Sequence, residues 1–315
     1  MQRTTTGGLN KSAPKRKLGK SILTSWQLYV MVLPALVYII MFHYKPMYGI
    51  TIAFKDFSMR KGITGSPWIG FENFTRLFSS YWFPIIIKNT LTLSLLNLIV
   101  GFPIPIILAL LLNEVNNGRF RKTFQTISYA PHFISVVVLC GMLVIFTNPT
   151  HGIINILLNK IGVESINFLG IAADFKWVYV LSGVWQEMGW GSIIYFAALS
   201  SVDKSLIEAA DIDGANRLQK IWYINLPVLV PTIMVLLVLQ FGSLLSVGYE
   251  KVYLLQNSSN LSASEVISTY VYKVGLQQAD FSFSAAVDVF NSVINTTILL
   301  LANGISRKLT HTSLF

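Results

Sequence analysis

Six long apolar segments, separated by polar stretches, dominate the pattern of hydrophobic and polar positions along the chain. They cover about 27–44, 90–112, 127–147, 177–200, 227–247 and 284–305. A helix that crosses a bilayer needs about 20 mostly apolar residues. The pattern therefore predicts an all-α polytopic membrane protein with six transmembrane helices. One transmembrane domain, 27–305, is expected between an N-terminal tail, 1–26, and a C-terminal tail, 306–315.

Composition and charge support this prediction. Hydrophobic residues make up 53% of the chain and charged residues 12%, whereas a soluble domain carries about 25% charged residues. The net charge is +10, and the cations gather in both tails and in the loops after the second and fourth segments. By the positive-inside rule these four regions are cytoplasmic, so both termini are expected in the cytoplasm. This distribution is typical of a membrane protein and indicates no nucleic-acid partner.

The sequence offers no set of residues for catalysis, metal binding or ATP binding. Cys140 is the single cysteine and the four histidines are scattered, which excludes an intrachain disulfide and a cysteine-based metal site. No GxxxxGK[ST] phosphate loop occurs, so the chain is not expected to bind ATP. We therefore expect no catalytic residue and no cofactor on this chain, which would not be an enzyme.

The loop at 205–226, between the fourth and fifth segments, predicts a helical hairpin. Ser205 and Glu208 fit a capping box at the start of a first helix, and Gly214 fits the left-handed residue that ends it. A second short helix is expected over about 215–224, before Pro227 opens the next span. The apolar residues of the two helices are Leu206, Ile207, Ala209, Ala210, Leu218, Ile221 and Trp222. From these residues alone, the hairpin could rest on lipid or dock on a protein.

The same loop resembles a known motif. Glu208-Ala209-Ala210, Gly214, Ile224 and Leu226-Pro227 have the spacing of the EAA loop, which marks permease subunits of binding-protein-dependent ABC importers. The stretches "YGITIAFKDF", "GSPWIGFENFTRLF", "VISTYVYKVGL", "FSFSAAVDVFNSVIN" and "SRKLTHTSLF" are similar to carbohydrate-type permeases. Within these permeases, the chain is similar to a branch often linked to oligosaccharides from pectic or other acidic polysaccharides. Phe315 departs from the Trp expected as the last residue of that branch.

The resemblance implies a type I ABC importer permease fold in a bacterial cytoplasmic membrane. It implies a second homologous permease subunit in a heterodimer, two cytoplasmic ATPases that carry ATP and Mg²⁺, and an extracytoplasmic solute-binding protein that delivers an oligosaccharide. The hairpin would dock on an ATPase and couple ATP hydrolysis to alternating access. The residues expected at that contact are Leu206, Glu208, Ala209, Ala210, Asp213, Gly214, Ala215, Leu218, Ile221, Trp222, Ile224, Leu226 and Pro227.

Polar residues inside the apolar segments are candidates for the substrate pathway, because buried polar groups in a bilayer usually face the interior of a helix bundle. The candidates are Trp185, Gln186, Glu187 and Trp190 in the fourth segment and Asp288, Asn291 and Asn295 in the sixth. The same residues could instead hold helices together. In an ion-coupled secondary transporter of a small polar solute, Glu187 and Asp288 could relay protons. His132 is expected to be a packing residue.

Two outer connections have candidate roles. Aromatic and apolar residues recur at near-helical spacing in the stretch 65–78, which predicts a short helix lying on the membrane surface or on the bundle. Between the fifth and sixth segments, Tyr249, Tyr253 and Gln256 are candidate contacts for the binding protein that the resemblance implies. Folding of this connection onto the bundle stays open as the alternative.

Overall fold

The computed structural model describes residues 26–115 and 117–310. The regular secondary structure of the described residues is helical, and the one β-type pairing among them is an isolated bridge between Lys55 and Trp68. The expectations for residues 1–25 and 311–315, Phe315 included, lie outside the described part of the chain. The described residues up to Thr51 form one unit, and the described residues from Ile52 onward form a second.

Four described helices are long and apolar enough to cross a membrane. They are α1, Trp26–Phe54; α4, Trp82–Asn113; α10, Arg217–Gly242; and α14, Phe281–Thr310. Two short helices, α2 (Gly62–Gly65) and α3 (Glu72–Ser79), precede α4. Leu77 of α3 is fully buried, as the spacing in the stretch 65–78 predicts for an amphipathic helix.

The third predicted span is not one helix. It consists of α5, Gly118–Tyr129, a 3₁₀ turn at Ala130–Phe133, and α6, Val136–Phe146, and the two parts are bent by 97°. Pro131 lies in the turn and has no N–H to continue the α-helical ladder. Ser135 then caps α6 by accepting a hydrogen bond from Val138 N at 3.4 Å. Counted as one span, this broken pair raises the number of candidate spans to five.

The fourth predicted span corresponds to α8, Ala172–Leu199, which has 28 residues. At 1.5 Å per residue it is about 42 Å long, enough to cross a bilayer. It is not one of the four helices that are both long and apolar enough to count as candidate spans, because its polar and aromatic residues lower its mean hydropathy. The described residues thus confirm an all-α fold, and the count of six spans stays a prediction.

The fifth predicted span begins earlier than expected and absorbs part of the hairpin. After α9, Lys204–Ile212, the chain turns and continues as α10. The separate second hairpin helix predicted at 215–224 is therefore wrong, because Arg217–Lys220 leads through the π-helical turn Ile221–Asn225 directly into Leu226–Gly242. The wider π turn stands just before Pro227, which cannot donate a backbone hydrogen bond.

Short helices complete the second unit. They are α7, Ile153–Lys160; α11, Tyr249–Leu255; α12, Leu261–Ser264; and α13, Ile267–Tyr272, which continues as a π turn to Gln277. The buried apolar residues form three clusters, of which one joins α4, α8 and α10 through Ala109, Tyr195 and Leu229. The other two hold α11 and α13 against the long helices. The connection after α10 is thus packed on the bundle.

Candidate coupling hairpin and transport cavity

The start of the hairpin is capped by a residue that the sequence pattern misses. Asp203 is the N-cap of α9, and its Oδ1 accepts a hydrogen bond from Ser205 N at 2.9 Å. That hydrogen bond, with one from the Ser205 side chain, holds the pKa of the Asp203 carboxyl below its usual range. The predicted capping box of Ser205 and Glu208 is therefore wrong. Both Asp203 and Ser205 suit an N-cap, and the helix begins after the earlier one.

The turn of the hairpin has the predicted geometry. Gly214 has φ +74°, in the left-handed region, and a side chain at this position would meet nothing within 4 Å. The reason for glycine is therefore conformational rather than steric. Ala215 N donates to Ala210 O at 2.9 Å, which closes the end of α9.

The second limb is fixed to the first by side chains. Asn216 and Gln219 form a reciprocal capping box, with Gln219 N donating to Asn216 Oδ1 at 2.9 Å and Asn216 N donating to Gln219 Oε1 at 2.7 Å. Lys220 of this limb forms an ion pair with Asp211 of α9 at 2.8 Å. The two limbs are thus a compact unit, held by caps, a turn and an ion pair.

The hairpin presents apolar side chains to its surroundings. Leu206 is 55% exposed, Leu218 68% and Trp222 64%, and Ile212 and Tyr223, which the sequence analysis did not single out, are exposed as well. The other predicted contact residues divide into two groups. Glu208, Ala209, Asp213 and Pro227 are exposed and Ala210, Ala215 and Ile224 half-buried, whereas Ile221 and Leu226 pack against the cluster around Leu229. An exposed apolar patch on a rigid element is typical of a docking surface.

A cavity of about 620 Å³ lies among α4, α8 and α10. Its lining includes Gln186, Glu187, Asn97, Gln240, Ser243, Tyr179 and Lys251. Two of the seven predicted pathway residues, Gln186 and Glu187, therefore line it. Trp185 lines a different, mostly apolar cavity of about 550 Å³ between α6 and α8.

Glu187 and Trp190 are joined by a residue that the sequence analysis assigned to packing. His132, in the turn between α5 and α6, has its Nδ1 2.9 Å from Glu187 Oε2. Its ring stacks on Trp190 with centroids 4.4 Å apart and planes 2° from parallel. His132 therefore packs and also carries a polar contact. The neighbouring Gln186 Nε2 donates to Ile134 O at 2.9 Å, which satisfies a carbonyl at the bend.

The polar residues of α14 occupy other places. Asn295 Oδ1 accepts from Leu245 N at 2.9 Å and its Nδ2 donates to Ser246 Oγ at 3.0 Å, so this amide holds the chain where α10 has ended. Asn291 Oδ1 is buried without a hydrogen-bond partner among the described residues. Asp288 is exposed. None of the three lines the cavity of Gln186 and Glu187, so the two predicted polar stripes do not meet there.

The outer candidates also differ from one another. Tyr249 and Tyr253 stack with ring centroids 5.4 Å apart, and both contact Tyr272, at 4.7 and 5.2 Å. Gln256 accepts a hydrogen bond from Lys273 Nζ at 2.6 Å. The same ammonium forms an ion pair with Glu265, which is only 3% exposed. Gln256 thus has a structural partner, whereas the two tyrosine rings belong to a half-exposed aromatic cluster.

Comparison with known proteins shows which protein family has this architecture. The profile of a family described as "Binding-protein-dependent transport system inner membrane component" matches residues 101–311, which include the hairpin and the cavity helices α8 and α10. The chain belongs to this family. It is therefore a permease subunit of an ABC importer and a membrane transport protein rather than an enzyme, as the EAA-type spacing implies.

Relatives and solved structures agree. The chain is 44% identical over 298 residues to the polygalacturonan/rhamnogalacturonan transport system permease protein YteP of Bacillus subtilis (strain 168), covering 95% of this chain and 93% of that protein. It is 41% identical over 313 residues to Protein LplB of the same organism, covering 97% and 98%. A crystal structure of a bacterial ABC transporter involved in the import of the acidic polysaccharide alginate matches with TM-score 0.87 and 45% identity, over 94% of this chain and 100% of that chain. A second, with an alginate pentasaccharide-bound periplasmic protein, matches with TM-score 0.88, 43% identity and coverages of 95% and 100%.

Proposed function

We propose that this permease imports an acidic oligosaccharide and forms half of the translocation pathway, together with a second, homologous permease. Two cytoplasmic ATPases would bind ATP and Mg²⁺, and an extracytoplasmic binding protein would deliver the sugar. The proposal rests on one observation above all: the EAA-type segment is a capped, compact hairpin with exposed apolar side chains. One similar protein is a polygalacturonan/rhamnogalacturonan transport permease, and another belongs to a transporter that imports alginate; both substrates are acidic polysaccharides, which supports the substrate class.

The hairpin is the proposed ATPase contact. Leu206, Leu218 and Trp222 are large apolar residues that lie exposed on an element otherwise rich in charge. The caps and the Lys220–Asp211 ion pair hold the two limbs together, so a partner that grips the hairpin would move it as one body. Burial of these side chains against a protein removes their apolar surface from water, which favours docking.

The outer connection is the proposed contact for the binding protein. Tyr249 and Tyr253 are the better candidates, because their rings form a half-exposed cluster with Tyr272, and tyrosine is enriched where one side of a ring meets a partner. Gln256 stays a third candidate, although its amide oxygen already accepts a hydrogen bond from Lys273 within the connection.

Gly214→Val tests the coupling role. A β-branched residue with positive φ is strongly disfavoured, at about 1–2 kcal/mol or more for a left-handed residue, so the turn should open and the ATPase contact weaken. Gly62→Val is the matched control, because Gly62 has φ +66° and also has nothing within 4 Å of an added side chain, but it begins the short helix α2 rather than the hairpin. We expect ATPase to co-purify with the control and to be lost from Gly214→Val, together with uptake.

Wild-type recovery of the ATPase with Gly214→Val, combined with undiminished sugar uptake, would contradict the coupling role. Uptake by the purified chain in liposomes without ATPase or ATP would instead support an ion-coupled secondary transporter. The two measurements separate the hairpin's role from the mode of energy supply.

A further inference from the structure

We propose that Lys251 is the residue of this permease that binds the carboxylate of the sugar, inside the cavity of about 620 Å³. The proposal rests on the function proposed above and adds a specificity-determining residue to it. The cavity falls within the range of about 300–1,000 Å³ typical of small-molecule sites, and Lys251 is the only Lys or Arg among the described residues that line it.

The position of the Lys251 ammonium is fixed by its neighbours. Lys251 lies on α11, in the connection that follows α10, and its Nζ donates to Tyr179 O of α8 at 2.9 Å. The same Nζ lies 5.0 Å from the centroid of the Tyr179 ring. A Cβ added to Gly183, one turn further along α8, would come within 3.2 Å of Nζ. The absence of a side chain at Gly183 therefore leaves room for the ammonium beside α8.

The charge of Glu187, in the same cavity lining, acts on the ammonium of Lys251 without forming an ion pair with it. Among the described residues, lysines 220 and 273 form ion pairs with carboxylates, whereas Lys251 forms none. Among the described residues, its Nζ donates to one acceptor, a neutral carbonyl, although an ammonium can donate three hydrogen bonds. A half-buried cation is stabilised strongly by an anion that reaches it, because the interaction is weakly screened. A carboxylate is the anion that an acidic sugar supplies.

The rest of the lining suits the other groups of a uronic acid. Glu187 is the acidic residue of this lining, and its Oε2 is engaged by His132 Nδ1 at 2.9 Å. The side chain of Glu187 is still 55% exposed, so its carboxylate can also accept from sugar hydroxyls. Gln240, Asn97 and Ser243 offer further neutral polar groups. One cation with several hydroxyl-binding groups matches a sugar that carries one carboxylate and several hydroxyls per unit.

The test measures binding to the assembled transporter in detergent, without the binding protein, so that only the permease selects the sugar. The probes are trigalacturonate and its fully methyl-esterified form, which keeps the hydroxyls and removes the charge. Lys251→Gln removes the ammonium and Lys251→Arg keeps a cation. Lys160→Gln, at an exposed lysine that ends α7, controls for the change in net charge.

We expect Lys251→Gln to weaken trigalacturonate binding by about tenfold to a hundredfold, the range of one charge-assisted hydrogen bond. Binding of the ester should change by less than about threefold. Lys251→Arg and Lys160→Gln should retain most of the wild-type affinity for the acid. Wild-type affinity of Lys251→Gln for trigalacturonate would overturn the proposal, and so would an equal loss for acid and ester. If the wild-type transporter takes up no oligosaccharide at all with its binding protein and ATP, the proposed function fails instead.

Discussion

Gly189→Ala should be the most damaging single methyl that can be added to α8. Gly189 faces the backbone of α5, and a Cβ built on it would lie 2.0 Å from Ser128 O and 2.9 Å from Tyr129 N. Carbon atoms in ordinary contact are about 3.5–4.0 Å apart. The two helices must therefore separate by roughly 1 Å or more before the added methyl group reaches an ordinary contact distance. Close approach of this kind is what small residues provide in membrane helices.

The magnitude follows from two opposing effects. Forcing an extra methyl group into a packed interface costs about 1–3 kcal/mol, and stretching the Gln186–Ile134 hydrogen bond on the same face adds about 1 kcal/mol. Alanine gains about 1 kcal/mol over glycine in a helix. The net loss of stability is thus about 1–3 kcal/mol. Import should fall as well, because His132 and Glu187 sit on the two sides of the separated interface.

Gly304→Ala is the matched control. Gly304 also lies inside a long helix, α14, but an added Cβ meets nothing within 4 Å, so the helix-forming advantage of alanine should appear alone. The assay is the thermal midpoint of the detergent-solubilised protein, followed by size-exclusion chromatography of heated samples. Soluble domains of 150–250 residues shift by about 2–4 °C per kcal/mol. If Gly189→Ala were as stable as Gly304→Ala, the reasoning from backbone contact would be refuted.

Two further substitutions test single contacts. Lys273→Met should lower the free energy of unfolding by about 3–5 kcal/mol, because it leaves the carboxylate of Glu265 buried without its partner. The double variant Lys273→Met/Glu265→Gln should recover much of the thermal midpoint. If it does not, loss of the ion pair is not the cause. Asp203→Ala should weaken ATPase co-purification more than Ser205→Ala does, because Asp203 is the N-cap of α9; the reverse order would restore the capping box predicted from the sequence.

The fold class and the hairpin were predictable because they depend on local signals. Apolar segments of span length mark the long helices, and Gly214 marks a turn that needs a left-handed residue. Pro131 signals the bend in the third span. The sequence does not show its 97° angle or that Gln186 of α8 donates a hydrogen bond to a carbonyl at the bend. The boundary at Asp203 was ambiguous, because two good N-cap residues stand two positions apart and packing of the preceding turn decides between them.

The cavity could not be assembled from sequence, because its parts are far apart along the chain. His132 and Glu187 are 55 residues apart, and Lys251 reaches Tyr179 across 72. Helical periodicity places Glu187 and Gln186 on a face of α8, but it does not show that the amide serves a backbone carbonyl while the carboxylate meets a histidine. For Asn295, helical periodicity correctly indicated an inward face. It could not identify the hydrogen-bond partner, which is the non-helical backbone after α10.

The continuity of α10 has a mechanical consequence. Its 26 residues, Arg217–Gly242, extend without a break over about 39 Å at 1.5 Å per residue. A force applied along the axis compresses a ladder of hydrogen bonds and is resisted strongly, so it reaches the far end with little loss. A sideways force instead meets the π turn at Ile221–Asn225 and the missing donors of Pro227 and Pro231, where flexure is easy. The helix should therefore resist compression along its axis and bend readily when it is pushed sideways.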